Sequence, residues 1–302
     1  MSKINISYSL EDFMKYKDRN MMLPPNLKPI CNDMGGVLIL RDVILKEIKN
    51  VIDNFNSGKN PNDITFKNSI IENLNKLNQK NYNQILESLR NLSYTKYEHF
   101  LTLISDLLTR SMTDTIAIKG IELPGEQKSQ SELYGDIVCE FSSLMIKEKN
   151  VDVKFITLFL DQCQKLFTDF TDSKKPLDQN NQYRVDNFKG FMNFLGVLFR
   201  KNIISHKIIA NCLDKLVKLM YCDTWGQSEA ENVYDGYKRL LYNIYLYYKK
   251  TCVKNQTDKE FIDSLLKIHA TIKTLNDVNN KLRKFTMMSH KDLETKIHKL
   301  VN

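Results

Sequence analysis

Large apolar side chains recur along this chain at the spacing of an α-helix, and this feature limits most strongly what the chain can fold into. In the segment 155–170 they form one continuous helix face, and similar faces occur at 188–199 and 208–220. No alternating pattern longer than a few residues predicts a strand. The sequence therefore predicts an all-α fold. The first face comprises Phe155, Ile156, Phe159, Leu160, Cys163, Leu166, Phe167 and Phe170.

Composition excludes several other classes of protein. A chain of 302 residues can bury a large core without disulfides or metals. It contains six cysteines but no C-x-x-C pair, which gives no support for a zinc knuckle or a thioredoxin-like site. No run of about 18 apolar residues predicts a membrane span, and the first residues do not resemble a secretory signal. We therefore expect a cytoplasmic protein with reduced thiols and no membrane contact.

Motifs for catalysis and cofactor binding are absent from the sequence. There is no P-loop, no dinucleotide-binding glycine motif, no G-x-S-x-G and no H-E-x-x-H. The five histidines are scattered without paired metal-ligand spacing. We therefore expect a binding or scaffold protein that is not an enzyme and carries no cofactor or metal.

The predicted helices group into about five pairs, with a period of roughly 40 to 50 residues that is typical of HEAT-repeat α-solenoids. We predict a flexible, disordered tail at 1–36 and a HEAT-repeat domain at 37–302, which begins with an extra helix at 37–55. Capping boxes predict helix starts at Thr95, Ser129, Ser228 and Thr257, with a weaker one at Ser289. The pairs are predicted at 63–92, 95–146, 151–201, 205–252 and 257–301.

The tail contains one short segment, at about 8–18, that suits binding to a partner. Ser9 can cap a helix there, and Tyr8 and Phe13 have the spacing of a hydrophobic staple. A helix of about ten residues is not stable alone, so we expect it to become ordered on binding. The alternative is that it packs on the helical domain. Its apolar residues are Tyr8, Leu10, Phe13 and Met14.

The spacing of this segment resembles that of peptides that bind the cap-binding protein, translation initiation factor 4E. Tyr8 is followed by Phe13, where the peptides have leucine, and then by Met14. Leu23-Pro24-Pro25 and Ile30 resemble the same region of the scaffold protein, initiation factor 4G. The resemblance implies that Tyr8, Leu10, Phe13 and Met14 bind a cap-binding protein.

Later segments resemble the middle HEAT domain of the initiation factor 4G family, in the expected order. They are Leu74-Asn75-Lys76-Leu77 with Tyr82, then 121–124, 194–200 and 281–283. In the third of these, Val197 replaces a glutamate of the family. The resemblance implies binding of a DEAD-box RNA helicase, initiation factor 4A. Leu74, Leu77 and Tyr82 would form a first contact and Arg283 a second. The alternative is that the two leucines are ordinary core residues.

The net charge of +8 favours contact with polyanions. Lys281, Lys284 and Lys291 are expected to bind mRNA weakly, unless they form only a solvated helix face. We therefore expect a translation initiation scaffold in the cytoplasm, or in the host cytoplasm if the chain is viral. Two alternatives stay open. One is a helicase-binding regulator that resembles the poly(A)-binding-protein-interacting proteins. The other is a general RNA-binding or adaptor HEAT protein.

Overall fold

A computed structural model of the chain describes residues 61–114, 127–148, 150–253 and 255–300, and these residues are mostly helical. The predicted all-α class is confirmed. The predicted tail, its binding segment at about 8–18 and the helix at 37–55 lie outside the described residues.

The described residues form ten α-helices and one short β-hairpin, and each predicted pair contains two of the helices. A single 3-10 turn, Gln179–Asn181, precedes α6. The helices are α1 Pro61–Lys76, α2 Tyr82–Arg90, α3 Tyr97–Met112, α4 Gln130–Phe141, α5 Phe155–Phe170, α6 Gln182–Arg200, α7 His206–Met220, α8 Gln227–Thr251, α9 Gln256–Asn279 and α10 Lys284–His298.

The hairpin lies between α4 and α5 and corrects one predicted boundary. Its strands β1 (Met145–Glu148) and β2 (Val151–Lys154) are antiparallel, with Met145 opposite Lys154. The predicted third pair began at residue 151, which is wrong because the helix begins at Phe155. The β2 residues pair with β1 instead, and the side chain of Ile146 anchors the hairpin in the core.

Among the predicted capping boxes, the one at Ser129 is confirmed. The Ser129 hydroxyl accepts a hydrogen bond from the Glu132 N–H at 3.2 Å, and the Glu132 carboxylate accepts one from the Ser129 N–H at 3.0 Å. The other starts are wrong by one or two residues, since the N-caps of α3, α8 and α9 are Lys96, Gly226 and Asn255.

Competing hydrogen bonds explain two of these corrections. The Asn255 side chain accepts from the Asp258 N–H at 2.8 Å, so the asparagine replaces Thr257 as the cap. Glu231, the acid of the box predicted at Ser228, accepts hydrogen bonds from the start of α10 instead. Ser289, the weaker prediction, lies inside α10.

Helices that are next but one in the chain pack against each other. Helix α3 contacts α5, α7 contacts α9, and α6 contacts both α4 and α8, while α8 also contacts α10. The core between them is rich in phenylalanine. The Phe155 ring, for example, lies 5.6 Å from the Phe100 ring and 5.7 Å from the Phe141 ring. The predicted apolar faces are buried or packed against this core, except for Ile208, which is exposed.

Polar contacts join each even-numbered helix to the next even-numbered helix. Such a contact occurs at each of the four steps from α2 to α10. The contacts are Arg90 with Glu140, Lys201 with Asp136, Arg200 with Glu132 at 3.0 Å, Lys189 with Asp235 at 3.1 Å, and the Arg283 N–H with Glu231 at 2.6 Å.

Glycines allow α6 to approach its neighbours closely. A Cβ atom at Gly190 would lie 2.1 Å from the backbone oxygen of Met112 in α3. A Cβ atom at Gly196 would lie 2.5 Å from the Cβ of Asn243 in α8. Val197 is buried in the same helix. A charged side chain there would have to be desolvated, so an apolar residue suits this contact.

Candidate protein-binding surfaces

The residues predicted for the first helicase contact lie at the end of α1, in the following turn and at the start of α2. Leu74 and Leu77 are 2% and 4% exposed and belong to the core. The Gln130 side-chain amide donates to the Leu77 carbonyl at 3.2 Å, which ties this turn to the start of α4. These two leucines therefore hold the turn in place, and their side chains are not presented at the surface.

Tyr82 begins α2 and is half-buried. Burial of its hydroxyl raises the pKa above its usual range, and the nearby Asp136 and Glu140 raise it further. The hydroxyl therefore stays protonated, yet it has no hydrogen-bond partner among the described residues. Asn75 at the end of α1, and Gln79 and Lys80 on the turn, are exposed.

The second predicted contact lies at the start of α10. Arg283 is the N-cap residue of this helix, and its N–H donates to Glu231 while its side chain is exposed. Phe285 and Met288 are 80% and 61% exposed. They lie three residues apart and so share one helix face. We call Arg283, Lys284, Phe285, Met288 and Lys291 the α10 surface; it combines two large apolar side chains with three cations.

The three lysines predicted to bind RNA differ in their surroundings. The Lys281 ammonium donates to the backbone carbonyls of Cys222 and Trp225, the latter at 2.9 Å. It therefore closes the loop between α7 and α8. Lys284 and Lys291 are exposed on α10. Tyr8, Leu10, Phe13 and Met14 lie outside the described residues.

Sequence reasoning missed Phe285 and Met288 as surface residues. The helical spacing of the sequence could have indicated their exposure. The buried positions of α10 are Thr286, His290, Leu293 and Ile297. This spacing leaves Phe285 and Met288 on the opposite face. Sequence reasoning also missed that His269 and His290, which are 21 residues apart, meet in the core. No local pattern could have revealed that long-range pair.

The described residues show no cluster of three His, Cys, Asp or Glu side chains that could hold a metal ion. Among the described helices, none has the length and apolar character needed to cross a membrane. The sequence matches no family model and no curated protein. The resemblance to the scaffold family therefore depends on the motifs quoted above.

Proposed function

We propose that this chain is a translation initiation scaffold of the initiation factor 4G type that acts in the cytoplasm. Its helical region would bind a DEAD-box helicase of the initiation factor 4A type, and its tail would bind a cap-binding protein. The observation that carries the proposal is the exposure of Phe285 and Met288 beside Arg283, where the resemblance places the second helicase contact.

The arrangement of the helices supports the HEAT-repeat part of this proposal. In an α-solenoid, each helix pair buries its apolar face against the neighbouring pairs. This requires alternate helices to pack side by side, as α4, α6, α8 and α10 do here. Polar contacts join each even-numbered helix to the next, which is consistent with this arrangement.

The α10 surface suits a partner that offers an apolar pocket and carboxylates. Phe285 would contribute about 2 kcal/mol if a partner buried it fully, because its large apolar area would leave water. Arg283 presents a planar guanidinium that can pair with a carboxylate through two hydrogen bonds. Aromatic and arginine side chains are the residues that most often dominate binding at protein interfaces.

At the other contact, the exposed residues of the α1–α2 turn would bind the helicase. Asn75, Gln79 and Lys80 are exposed there. Leu74 and Leu77 would act indirectly, since they are buried beneath the turn and fix its position. The partnerless hydroxyl of Tyr82 would be available to an acceptor after a small side-chain movement.

Two separated contacts give a physical mechanism without covalent chemistry. A scaffold that binds both lobes of a helicase favours the lobe arrangement that matches the two contacts, and so shifts its conformational equilibrium. Attachment to a cap-binding protein also raises the local concentration of helicase near the mRNA cap, with an avidity gain of roughly 10² to 10⁴.

The helicase contact can be tested by calorimetry with the full chain and a purified initiation factor 4A helicase. Phe285→Ala should weaken binding about 30-fold, the equivalent of about 2 kcal/mol. Tyr183→Ala is the matched control, because Tyr183 is also an exposed aromatic residue, at 68%. It should leave the affinity unchanged. Equal affinities for the wild-type chain and Phe285→Ala would contradict the proposed contact.

The tail contact needs a separate test with an initiation factor 4E protein. Replacement of Tyr8 and Phe13 by alanine should abolish its capture by the chain while helicase binding persists. Unchanged capture, with helicase binding intact, would favour the regulator that resembles the poly(A)-binding-protein-interacting proteins.

RNA binding at the α10 surface is a second candidate function. Phe285 is exposed for base stacking, and Arg283, Lys284 and Lys291 are cations that suit phosphates. Tight RNA binding at about 0.2 M salt, with no effect on helicase ATPase activity, would favour this function over the scaffold.

A further inference from the structure

Two histidines form a buried stacked pair where α8, α9 and α10 meet. The rings of His269 in α9 and His290 in α10 are nearly parallel, with centroids 3.5 Å apart. His269 is completely buried and His290 is 3% exposed. The pair lies beneath α10, on the side opposite to Phe285 and Met288.

The hydrogen bonds of His269 favour a neutral ring. Its Nε2 lies 3.0 Å from the His290 carbonyl oxygen, which can only accept, so Nε2 carries the proton. Its Nδ1 lies 3.1 Å from the Tyr237 hydroxyl oxygen and accepts a hydrogen bond from that hydroxyl. A second proton on Nδ1 would force the Tyr237 hydroxyl to turn its hydrogen away. The Nδ1 of His290 is buried without a hydrogen-bond partner among the described residues.

The surroundings of the pair also oppose a positive charge. Burial, the adjacent His269 and the charge of Lys273 together lower the pKa of His290 to about 3, although the backbone hydrogen bond with His269 acts in the opposite direction. Burial also lowers the pKa of His269, while its bond to the His290 backbone and the charge of Glu294 act in the opposite direction. The titratable groups that face the pair are Tyr234 and Tyr237 from α8, Lys273 from α9, and Glu294 and His298 from α10.

We propose that this stacked pair makes the attachment of α10 sensitive to pH, so that mild acid releases the helix. The pair can be protonated only when α10 moves away and water reaches the rings. Acid therefore favours the open form. This proposal is independent of the proposed function, although release of α10 would also displace the α10 surface.

The direction and size of the effect follow from proton linkage. In the open form each histidine would regain a pKa near its usual value of 6.5. Both rings are neutral in either form at pH 7.5, so the attachment is then at full strength. Between pH 7.5 and pH 5.0, His290 favours opening by about 30-fold, because its pKa is about 3 while α10 is attached. His269 acts in the same direction, since burial lowers its pKa as well. Attachment strength is therefore lost as the pH falls below 6.5.

Hydrogen exchange on the full wild-type chain tests this at pH 7.5 and pH 5.0, with rates corrected for the intrinsic effect of pH on exchange. The protection of α10 amides should fall by at least about 30-fold, while α6 amides should lose much less. An equal loss in α6 and α10 would overturn the proposal, because it would mean general acid unfolding.

Two variants separate the pair from other acid effects. His290→Phe keeps a stacking ring but cannot take up a proton, so the loss of protection in α10 should be about 30-fold smaller than in the wild type. His99→Gln is the control, since His99 is a histidine of α3 that does not face the pair, and its α10 should lose protection as the wild type does. A loss in His290→Phe as large as that in the wild type would overturn the proposal. If that variant fails to fold, His290→Asn, which also cannot take up a proton, is used in its place. The comparison of α10 with α6 in the wild-type chain depends on neither variant.

Discussion

Replacement of Gly190 by alanine tests a close approach between α3 and α6. The added Cβ would lie 2.1 Å from the backbone oxygen of Met112, well below the 3.0 Å that real Cβ contacts keep. A backbone oxygen cannot rotate away as a flexible side chain can. Helices α3 and α6 would therefore have to move apart.

Two opposing terms set the size of this effect. Alanine favours a helix over glycine by about 1 kcal/mol. Overpacking of a close contact costs about 1–3 kcal/mol and sometimes more, and a contact with rigid backbone belongs at the upper end. The clash also spreads to neighbouring core contacts, because Gly190 is buried between the two helices. We therefore expect Gly190→Ala to lower the free energy of unfolding by about 2 kcal/mol.

The assay is urea denaturation followed by the fluorescence of Trp225, the single tryptophan of the chain. This residue is 3% exposed and its indole N–H donates to the Ser173 carbonyl at 2.9 Å, so unfolding changes its environment. The midpoint should fall by several tenths of 1 M. Gly226→Ala is the control, because its Cβ would meet only the flexible Glu229 carboxylate at 3.0 Å. A Gly190→Ala midpoint equal to or above that of the control would refute the reasoning.

Two other predictions concern buried and half-buried groups. Lys281→Met should lower the free energy of unfolding by about 2 kcal/mol, because the carbonyls of Cys222 and Trp225 lose a charged donor. In the same urea assay, the control Lys284→Met should change the free energy of unfolding by less than about 0.5 kcal/mol. In the native protein at neutral pH, a maleimide should label the exposed Cys252 and leave Cys212 unmodified, because burial raises the pKa of the Cys212 thiol to about 11. Peptide mass spectrometry measures the labelling, and equal labelling of the two cysteines would contradict this prediction.

The helices could be predicted from the sequence because their apolar faces repeat within short segments. The face at 155–170 needed no knowledge of the tertiary structure, and its residues are buried or packed against the core. Boundaries were less predictable because they depend on competition between nearby groups. At the start of α9, the Asn255 side chain forms the cap in place of Thr257.

The candidate surfaces were less predictable because they depend on long-range packing. Leu74 and Leu77 have the same spacing whether they face a partner or the core, and only the tertiary structure shows that they face the core. Lys281 looks like other surface lysines in the sequence, yet its ammonium binds two carbonyls far away in the chain. The pair of His269 and His290 depends on how α9 and α10 meet.

The most direct test of the account is a bridging experiment with three purified proteins. An initiation factor 4E protein is bound to a cap-analogue resin, and an initiation factor 4A helicase is added with or without the full chain. The account predicts that the resin retains the helicase only when the chain is present, and that Phe285→Ala reduces the helicase retained without reducing the chain. Retention of the chain without any helicase would contradict the central claim.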